Sequence, residues 1–349
     1  MTKHGWMIYG ANGYAGRLVA REAAALGERP LLAGRSAEKV RRVAEELGLP
    51  WMAFDLGDHA ATVAALRGVE LVLLAAGPFD GLAQPMMDAC LEAGTHYTDL
   101  DNELLVFRAA QERDARARER GVAIVPAIGF GTIATGSLVK RLIGELPDAT
   151  RLECALHIAS THAGPATGGS GLAAVQLGGR VRRGGRLVEH PLGAGGRAIP
   201  FADRSRRASP IPTGDLEAAW MDTHVPDITV YGTALPGGLV QRVGIAILRR
   251  LLWIGAVRRA VSSVREAPGT DAHCQAWACA INARGDKVEA RLETGEGFAF
   301  TAAAAARAVA VIRRAPTAGA HAAATVLGAA FIDSVPGVRV TISHKESTR

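Results

Sequence analysis

The segment Trp6-Met-Ile-Tyr-Gly-Ala-Asn-Gly-Tyr-Ala-Gly16 constrains this chain more than any other stretch. Trp6 to Tyr9 has the length and apolar character of a buried strand, and Arg17 to Gly27 then carries Leu18, Val19, Ala23 and Leu26 at helical spacing. The order is strand, glycine turn, helix. In such a turn the first glycine permits the tight bend and the second lets backbone approach a pyrophosphate. The third lets helix and strand close up, and the anion rests on the helix N-terminus. The spacing is G-x-x-G-x-x-G, so the middle glycine stands one residue later than in G-x-G-x-x-G. The expectation is a dinucleotide held by Gly10, Asn12, Gly13, Tyr14, Ala15 and Gly16; the alternative is a plain turn whose glycines serve packing.

The following residues favour the nucleotide. Pro30 to Ala33 reads as a second strand ending at Gly34-Arg35-Ser36. In an NAD-preferring site the residue closing this strand is an acid that accepts from the ribose 2′-hydroxyl. Here Arg35 stands there, with Ser36 next and Lys39 one turn into the following helix, a group that attracts a 2′-phosphate. NADP(H) is therefore expected over NAD(H). Trp51 to Phe54 forms a third strand, and Asp55 after it either meets the adenine amino group or caps the helix starting near His59. Glu70 to Ala76 is nearly continuously apolar, as in a parallel sheet buried on both faces. Ligands of doubly wound sheets lie beyond the carboxyl ends of the strands, so Ala76, Gly77 and Pro78 should line the cofactor. A helix over 84–93, strand 95–98, a single helix over 103–120 and strand 122–126 continue the alternation. That pattern specifies an α/β fold: a Rossmann doubly wound parallel sheet in residues 1–130.

Beyond a helix at 132–146 the character changes. Leu152, Cys154, Leu156 and Ile158 alternate with polar or small residues, and a glycine- and arginine-rich stretch to Arg207 is low in apolar residues, which argues for surface structure. His273 to Asn282 and Lys287 to Thr294 form a hairpin with Val288, Ala290, Leu292 and Thr294 on one face, as in a sheet open to water on the other. Residues 131–319 are thus expected to form a second, mixed α/β substrate and dimerisation domain, with the homodimer formed through its sheet and 320–349 returning to the first. Within it, Leu239 to Val261 is apolar but interrupted by Arg249-Arg250 and Arg258-Arg259, too charged for a membrane span. An amphipathic basic helix remains, packed on its own protein or a partner subunit, or touching a lipid surface or an acyl-chain substrate.

The net charge of +6 comes mostly from arginine scattered among acids, with no basic arm. Nucleic acid is not expected as a partner. Arg180-Val-Arg-Arg-Gly-Gly-Arg186 and Arg204-Ser-Arg-Arg207 present either a positive mouth or solvated loops. Cys90, Cys154, Cys274 and Cys279 show no metal-type spacing and read as buried thiols in a reducing compartment. With no room for a signal peptide before the first strand, a cytoplasmic protein is expected.

Several motifs together resemble the saccharopine dehydrogenase-like oxidoreductases. They are Gly10 to Gly16, Ala33-Gly-Arg35, Ala76-Gly-Pro-Phe79, Gly94-Thr-His-Tyr-Thr-Asp-Leu100, Gly129-Phe130, Gly214-Asp-Leu216 and Val225-Pro-Asp-Ile-Thr-Val-Tyr231. The likeness is to the bacterial branch that includes trans-acting enoyl reductases. It implies an NADP-binding Rossmann domain, a mixed substrate domain and hydride transfer. Where that branch tends to have Gly-Phe-Asp-Ser-Val-Pro-Ser-Asp, this chain has Gly129-Phe-Gly-Thr-Ile-Ala-Thr-Gly136, and Asn102 replaces a glycine before Glu103.

Hydride transfer to a carbon leaves an atom that needs a proton. Tyr97 and Asp99 are two apart on an extended strand and project the same way. Tyr97 either donates the proton with Asp99 orienting it, or packs in the core with Asp99 capping the next helix. His157, with Glu153 on the same strand face, and His162 are the next candidates, and no metal site is expected. The chain reads as an NADPH-dependent reductase of an enoyl, imine or carbonyl group in a small-molecule substrate, or as a non-catalytic NADP(H)-binding redox sensor or scaffold.

Overall fold

The computed structural model describes residues 4–77, 79–159, 174–233 and 273–345. Two compact units divide the chain: Met1–Phe130 with Phe298–Leu327, and Gly131–Gly297 with Gly328–Arg349. In the first, β1 (His4–Tyr9), β2 (Leu31–Gly34), β3 (Trp51–Ala53), β4 (Val69–Leu74), β5 (His96–Asp99) and β6 (Ala123–Val125) are joined by the short strand Gly319–Ala320. Among the described residues these seven lie in the order Gly319–Ala320, β6, β5, β4, β1, β2, β3, and every pairing is parallel. The chain winds outward from β1 to β3 and then, from β4, in the opposite direction. The reversal places a switch point between β1 and β4, where doubly wound sheets bind ligands.

Local chemistry accounts for the connections. Helices α1 (Tyr14–Ala25), α2 (Ala37–Leu47), α3 (His59–Leu66) and α4 (Ala83–Ala93) follow the first strands. Glycine in the left-handed region ends α2 at Gly48 and α4 at Gly94. Asp58 caps α3, its Oδ1 accepting from Ala61 N at 2.9 Å. Asp58→Ala should lower stability by about 1 kcal/mol in a urea melt, with NADPH affinity unchanged. The helix expected over 103–120 is two, α5 (Leu104–Glu112) and α6 (Asp114–Arg120). They part at Arg113, whose guanidinium Nη2 and Nε reach the Asp88 carboxylate at 2.7 and 3.1 Å.

The returning segment is 298–327 rather than 320–349. Helix α7 (Phe130–Glu145) leaves the first unit, whereas the helix Gly297–Arg314 comes back to it and buries Ala304, Ala305, Ala308, Val309 and Ile312. Its Arg307 meets Glu22 at 2.8 Å and its Arg313 meets Glu70 at 2.9 Å. The final strand, Arg339–Lys345, instead pairs with a strand of the second sheet, because its hydrogen-bonding edge is used there.

That sheet contains β7 (Ala149–His157), β8 (Arg180–Arg183), β9 (Arg186–Glu189), β10 (Arg197–Pro200), β11 (Ser205–Pro210), β12 (Asp227–Gly232), β13 (Cys274–Asn282) and β14 (Lys287–Thr294), with Arg339–Lys345 at its edge. β12 and β7 are parallel and the other pairs antiparallel. The hairpin β13–β14 forms as expected, but its second face is not open to water: β13 is buried at every position. The stretch to Arg207, expected to be surface structure, supplies much of the cover together with Ala208. Ile199, Phe201 and Ala208 pack on Ala155, Tyr231, Trp277 and Cys279. Arg197 lies over the rings of Tyr231 and Trp277, each 5.3 Å away, and pairs with Glu153. Its flat cation and apolar stem cover aromatic surface as a hydrophobic residue would.

Candidate functional site

The glycine turn is built at the switch point. Gly10 leaves β1 with φ +92°, and its N–H donates to Ala33 O of β2 at 2.8 Å. A Cβ on Gly10 would lie 2.7 Å from Ala76 N, so the chain after β4 closes directly on this turn. On Gly16 it would lie 2.3 Å from Gly10 O, so helix α1 and the turn touch backbone to backbone. Gly13 differs from both: it caps α1 in extended geometry, φ −74° and ψ 165°, and a Cβ there meets nothing nearer than Gly10 O at 3.2 Å. Protein crowding is severe at the first and third glycines and milder at the middle one, where Gly10 O is the nearest obstacle. Ala15 and Gly16 head the helix, where amides have no intrahelical acceptor and an anion is favoured. Tyr14 is 43% exposed beside them, its ring edge-on to Phe298 at 5.0 Å.

Around the end of β2 the geometry suits the adenosine end. The Asn12 side chain lies over Gly34, with Oδ1 only 2.8 Å from where a Cβ would be. Arg35 and Lys39 are exposed and take part in no ion pair among the described residues, and Ser36 begins α2 without spending its hydroxyl as a cap. Tyr9 donates to Phe54 O at 3.1 Å and packs on the Phe54 ring. Burial raises the Tyr9 phenol, with Asp55 adding to the rise and Arg35 opposing it, so both charges lie near this hydroxyl. Asp55 is exposed and turns back to accept from Gly57 N at 2.9 Å. It does not cap α3, since Asp58 does. Ala76 and Gly77 follow β4 half-buried at the same edge; Pro78 lies outside the described residues.

One strand further along, the acids expected at the chemical end take distinct places. Tyr97 has no exposed surface, and its hydroxyl donates to Asp99 Oδ2 at 2.7 Å. Desolvation first, then the charge of Asp99, pushes the phenol well above its usual range. This is the packed alternative for Tyr97, except that Asp99 caps no helix. Asp99 Oδ1 accepts from Ala127 N at 2.7 Å and Asp101 N at 2.9 Å. Ala127 has φ +60°, a left-handed conformation costing about 1 kcal/mol or more for a residue with a Cβ, and Asp99 holds it there. Burial lifts the Asp99 carboxyl to about 6 against the pull of these three donors.

Sequence reasoning passed over Asp101. It is 3% exposed, and neither carboxyl oxygen has a hydrogen-bond partner. Burial first, then Asp99 and Glu103, raises it well above the carboxylate range. The available signal was a third acid in Asp99-Leu-Asp101-Asn-Glu103 at a strand's carboxyl end, spaced by two.

His157 belongs to the second unit. It is half-buried on β7, with Nδ1 2.9 Å from Thr233 Oγ1, and desolvation with Arg206 nearby lowers its pKa. His162 and the whole of Leu239 to Val261 lie outside the described residues. All four cysteines are buried free thiols, with burial pushing Cys274 to about 11 and Cys279 to about 12. Among the described residues no three His, Cys, Asp or Glu side chains converge as metal ligands, and no helix is long and apolar enough to cross a membrane.

Residues 6–125 match the family described as the saccharopine dehydrogenase NADP binding domain. The trans-acting enoyl reductase of Mycobacterium tuberculosis is 33% identical over 144 residues, 39% of this chain and 34% of that protein. The trans-acting enoyl reductase of Mycobacterium leprae is 33% identical over 159 residues, 41% of this chain and 38% of that protein. The chain thus spans about a third of the length of these curated relatives. Apo saccharopine dehydrogenase (L-Glu forming) from Saccharomyces cerevisiae superposes with a TM-score of 0.63 at 12% identity, covering 98% of this chain and 100% of that one. That likeness is one of fold. The cofactor of this domain family is NADP(H), and the glycine turn with the exposed Arg35 and Lys39, which make no ion pair among the described residues, fits it. Residues 6–125 are thus similar to a saccharopine dehydrogenase NADP binding domain, and the fold is that of saccharopine dehydrogenase.

Proposed function

We propose that the protein is an NADPH-dependent oxidoreductase that reduces an enoyl, imine or carbonyl group of a small molecule. The observation that carries this reading is the glycine cradle Gly10 to Gly16 beside the exposed Arg35 and Lys39 at the end of β2. The amides heading α1 would hold the pyrophosphate, Arg35, Ser36 and Lys39 the 2′-phosphate, and Asp55 the adenine amino group. Ala76 and Gly77, with Pro78, would line the path toward the nicotinamide, and NADPH when bound supplies the hydride. Tyr97 orients Asp99, and Asp99 fixes Ala127 at the carboxyl edge of β5 and β6, so this pair positions the floor of the site. His157, on β7 of the second unit, is the remaining candidate for proton transfer, its pKa lowered by desolvation and by Arg206 nearby. The name shared by the mycobacterial relatives favours an enoyl acceptor.

Titration with NADPH and NADH, followed by the fluorescence of Trp6 and Trp51, tests the cofactor reading. Tight NADPH and weak NADH binding is expected, and binding of neither nucleotide overturns it. NADPH oxidation with crotonyl-coenzyme A, 1-pyrroline and hexanal then tests turnover. A sensor without turnover is the second reading, favoured by Gly131 and Gly136 where the resemblance places acids. Tight binding with no acceptor reduced supports it.

A further inference from the structure

Asp99, Asp215 and Glu217 are buried acids served by side-chain or backbone donors. Asp99 receives three, Asp215 is met by Thr135 at 2.6 Å and Thr213 at 2.8 Å, and Glu217 by Arg182 at 2.7 Å. Asp101 has none, although it is as buried as they are. The backbone amides of Glu103 and Asn102 are the donors nearest to it, and they oppose the rise in its pKa. Leaving a buried polar group unsatisfied costs about 1–3 kcal/mol, and such groups persist where something other than the protein's own packing requires them.

Its place in the fold says what that is. Asp99 is in register with Leu74, and Leu100 N donates to Leu74 O at 3.2 Å, so the chain leaving β5 runs beside the chain leaving β4. Immediately past Leu74 come Ala75 and Ala76, against which Gly10 closes. Asp101 therefore stands at the carboxyl edge of the sheet, on the side of the switch point where the reducing end of a bound dinucleotide is expected.

We infer that the Asp101 carboxyl is the proton donor of the reduction, an inference that rests on the reductase reading. Burial first, then the charges of Asp99 and Glu103, raises its carboxyl well above the carboxylate range and so favours the protonated form, against the pull of the Glu103 and Asn102 amides. A protonated carboxyl carries one O–H donor, here with no acceptor in the protein. In the step, the acceptor carbon gains the hydride and the electron pair of its double bond moves to the other atom. The Asp101 O–H bond breaks, and the proton goes to the α-carbon of an enoyl group, the nitrogen of an imine or the oxygen of a carbonyl. Asp101 is left as a carboxylate and regains its proton from solvent. One NADPH and one proton are consumed for each acceptor reduced.

The test uses the full chain with Asp101→Asn, Asp101→Glu and the exposed control Glu92→Gln. Asp101→Asn should bind NADPH as the wild type does, melt at or above it, and lose the infrared C=O stretch of a buried protonated carboxyl at neutral pH. In the wild type that band should shift when NADP+ binds. Turnover with a reducible acceptor should fall roughly 10²–10⁴-fold in Asp101→Asn and recover in part in Asp101→Glu. The wild-type rate should decline as pH rises through the Asp101 titration, and Asp101→Asn should lack that limb. Wild-type turnover in Asp101→Asn, or a melt far below wild type, overturns the inference. Where no acceptor turns over, the band decides, and its absence or its indifference to NADP+ overturns it. Failure of the wild type to bind NADPH is a separate outcome that removes the reductase reading itself.

Discussion

Gly10→Ala is expected to abolish NADPH binding and to lower stability by about 3–5 kcal/mol. Two independent effects combine. At φ +92° any side chain strains the backbone by roughly 1–2 kcal/mol, and the new Cβ would be 2.7 Å from Ala76 N and 2.8 Å from Ala75 C. Those are backbone atoms held by Ala75 N donating to Tyr9 O at 2.8 Å, so they cannot swing aside as a flexible side chain would. The turn would open away from β4, dissolving the edge at which the glycine cradle meets Ala76. Gly48→Ala is the control. It has φ +63° but open space around it, so it should cost only about 1 kcal/mol and leave binding intact. Urea unfolding and nucleotide titration of both variants decide the matter. Equal effects from the two would show that backbone conformation alone, and not the close approach to Ala76, sets the requirement for glycine.

Arg35→Asp should weaken NADPH binding roughly 100-fold and bring NADH affinity level with it or above. A charge-assisted hydrogen bond to phosphate is worth about 1.5–3 kcal/mol, and an aspartate adds repulsion of the 2′-phosphate while offering an acceptor to the ribose 2′-hydroxyl. The side chain is exposed and engaged in no ion pair among the described residues, so the fold should be unaffected and the thermal melt unchanged. Because the contact would be partly open to solvent, the NADPH affinity of the wild type should fall as salt rises, and that slope should shrink in Arg35→Asp. An NADPH affinity untouched by the substitution would move the 2′-phosphate elsewhere.

How far these features could be read from sequence depended on whether their physics is local. The turn from Gly10 to Gly16 was legible because its glycine spacing is a local pattern, although the Ala76 that crowds Gly10 is distant in sequence, and β4 because Leu71 to Leu74 is apolar along both faces. Residues 178–210 were not legible. Their burial comes from pairings with distant strands, and Arg197 does over Tyr231 and Trp277 what periodicity analysis assigns to aliphatic residues. The break at Arg113 depends on Asp88, a partner from another helix. Asp101 is the sharpest case: its identity was in plain sight, but its burial beside Asp99, which takes the amides of Ala127 and Asp101 and the Tyr97 hydroxyl, is a tertiary matter. Likewise, the helical pattern after residue 300 was visible in sequence, whereas its destination was a tertiary matter.

That destination bears on how the protein comes into being. Phe298 emerges about 170 residues after Phe130, an interval on the order of ten to thirty seconds at ordinary rates of synthesis. Throughout it, the newly made nucleotide-binding unit lacks the helix whose Ala304, Ala305, Ala308, Val309 and Ile312 are buried in it, and lacks the edge strand Gly319–Ala320. An uncovered apolar face and an unpaired edge on β6 are what a holdase chaperone recognises, so the nascent chain should need protection until its last fifth has left the ribosome.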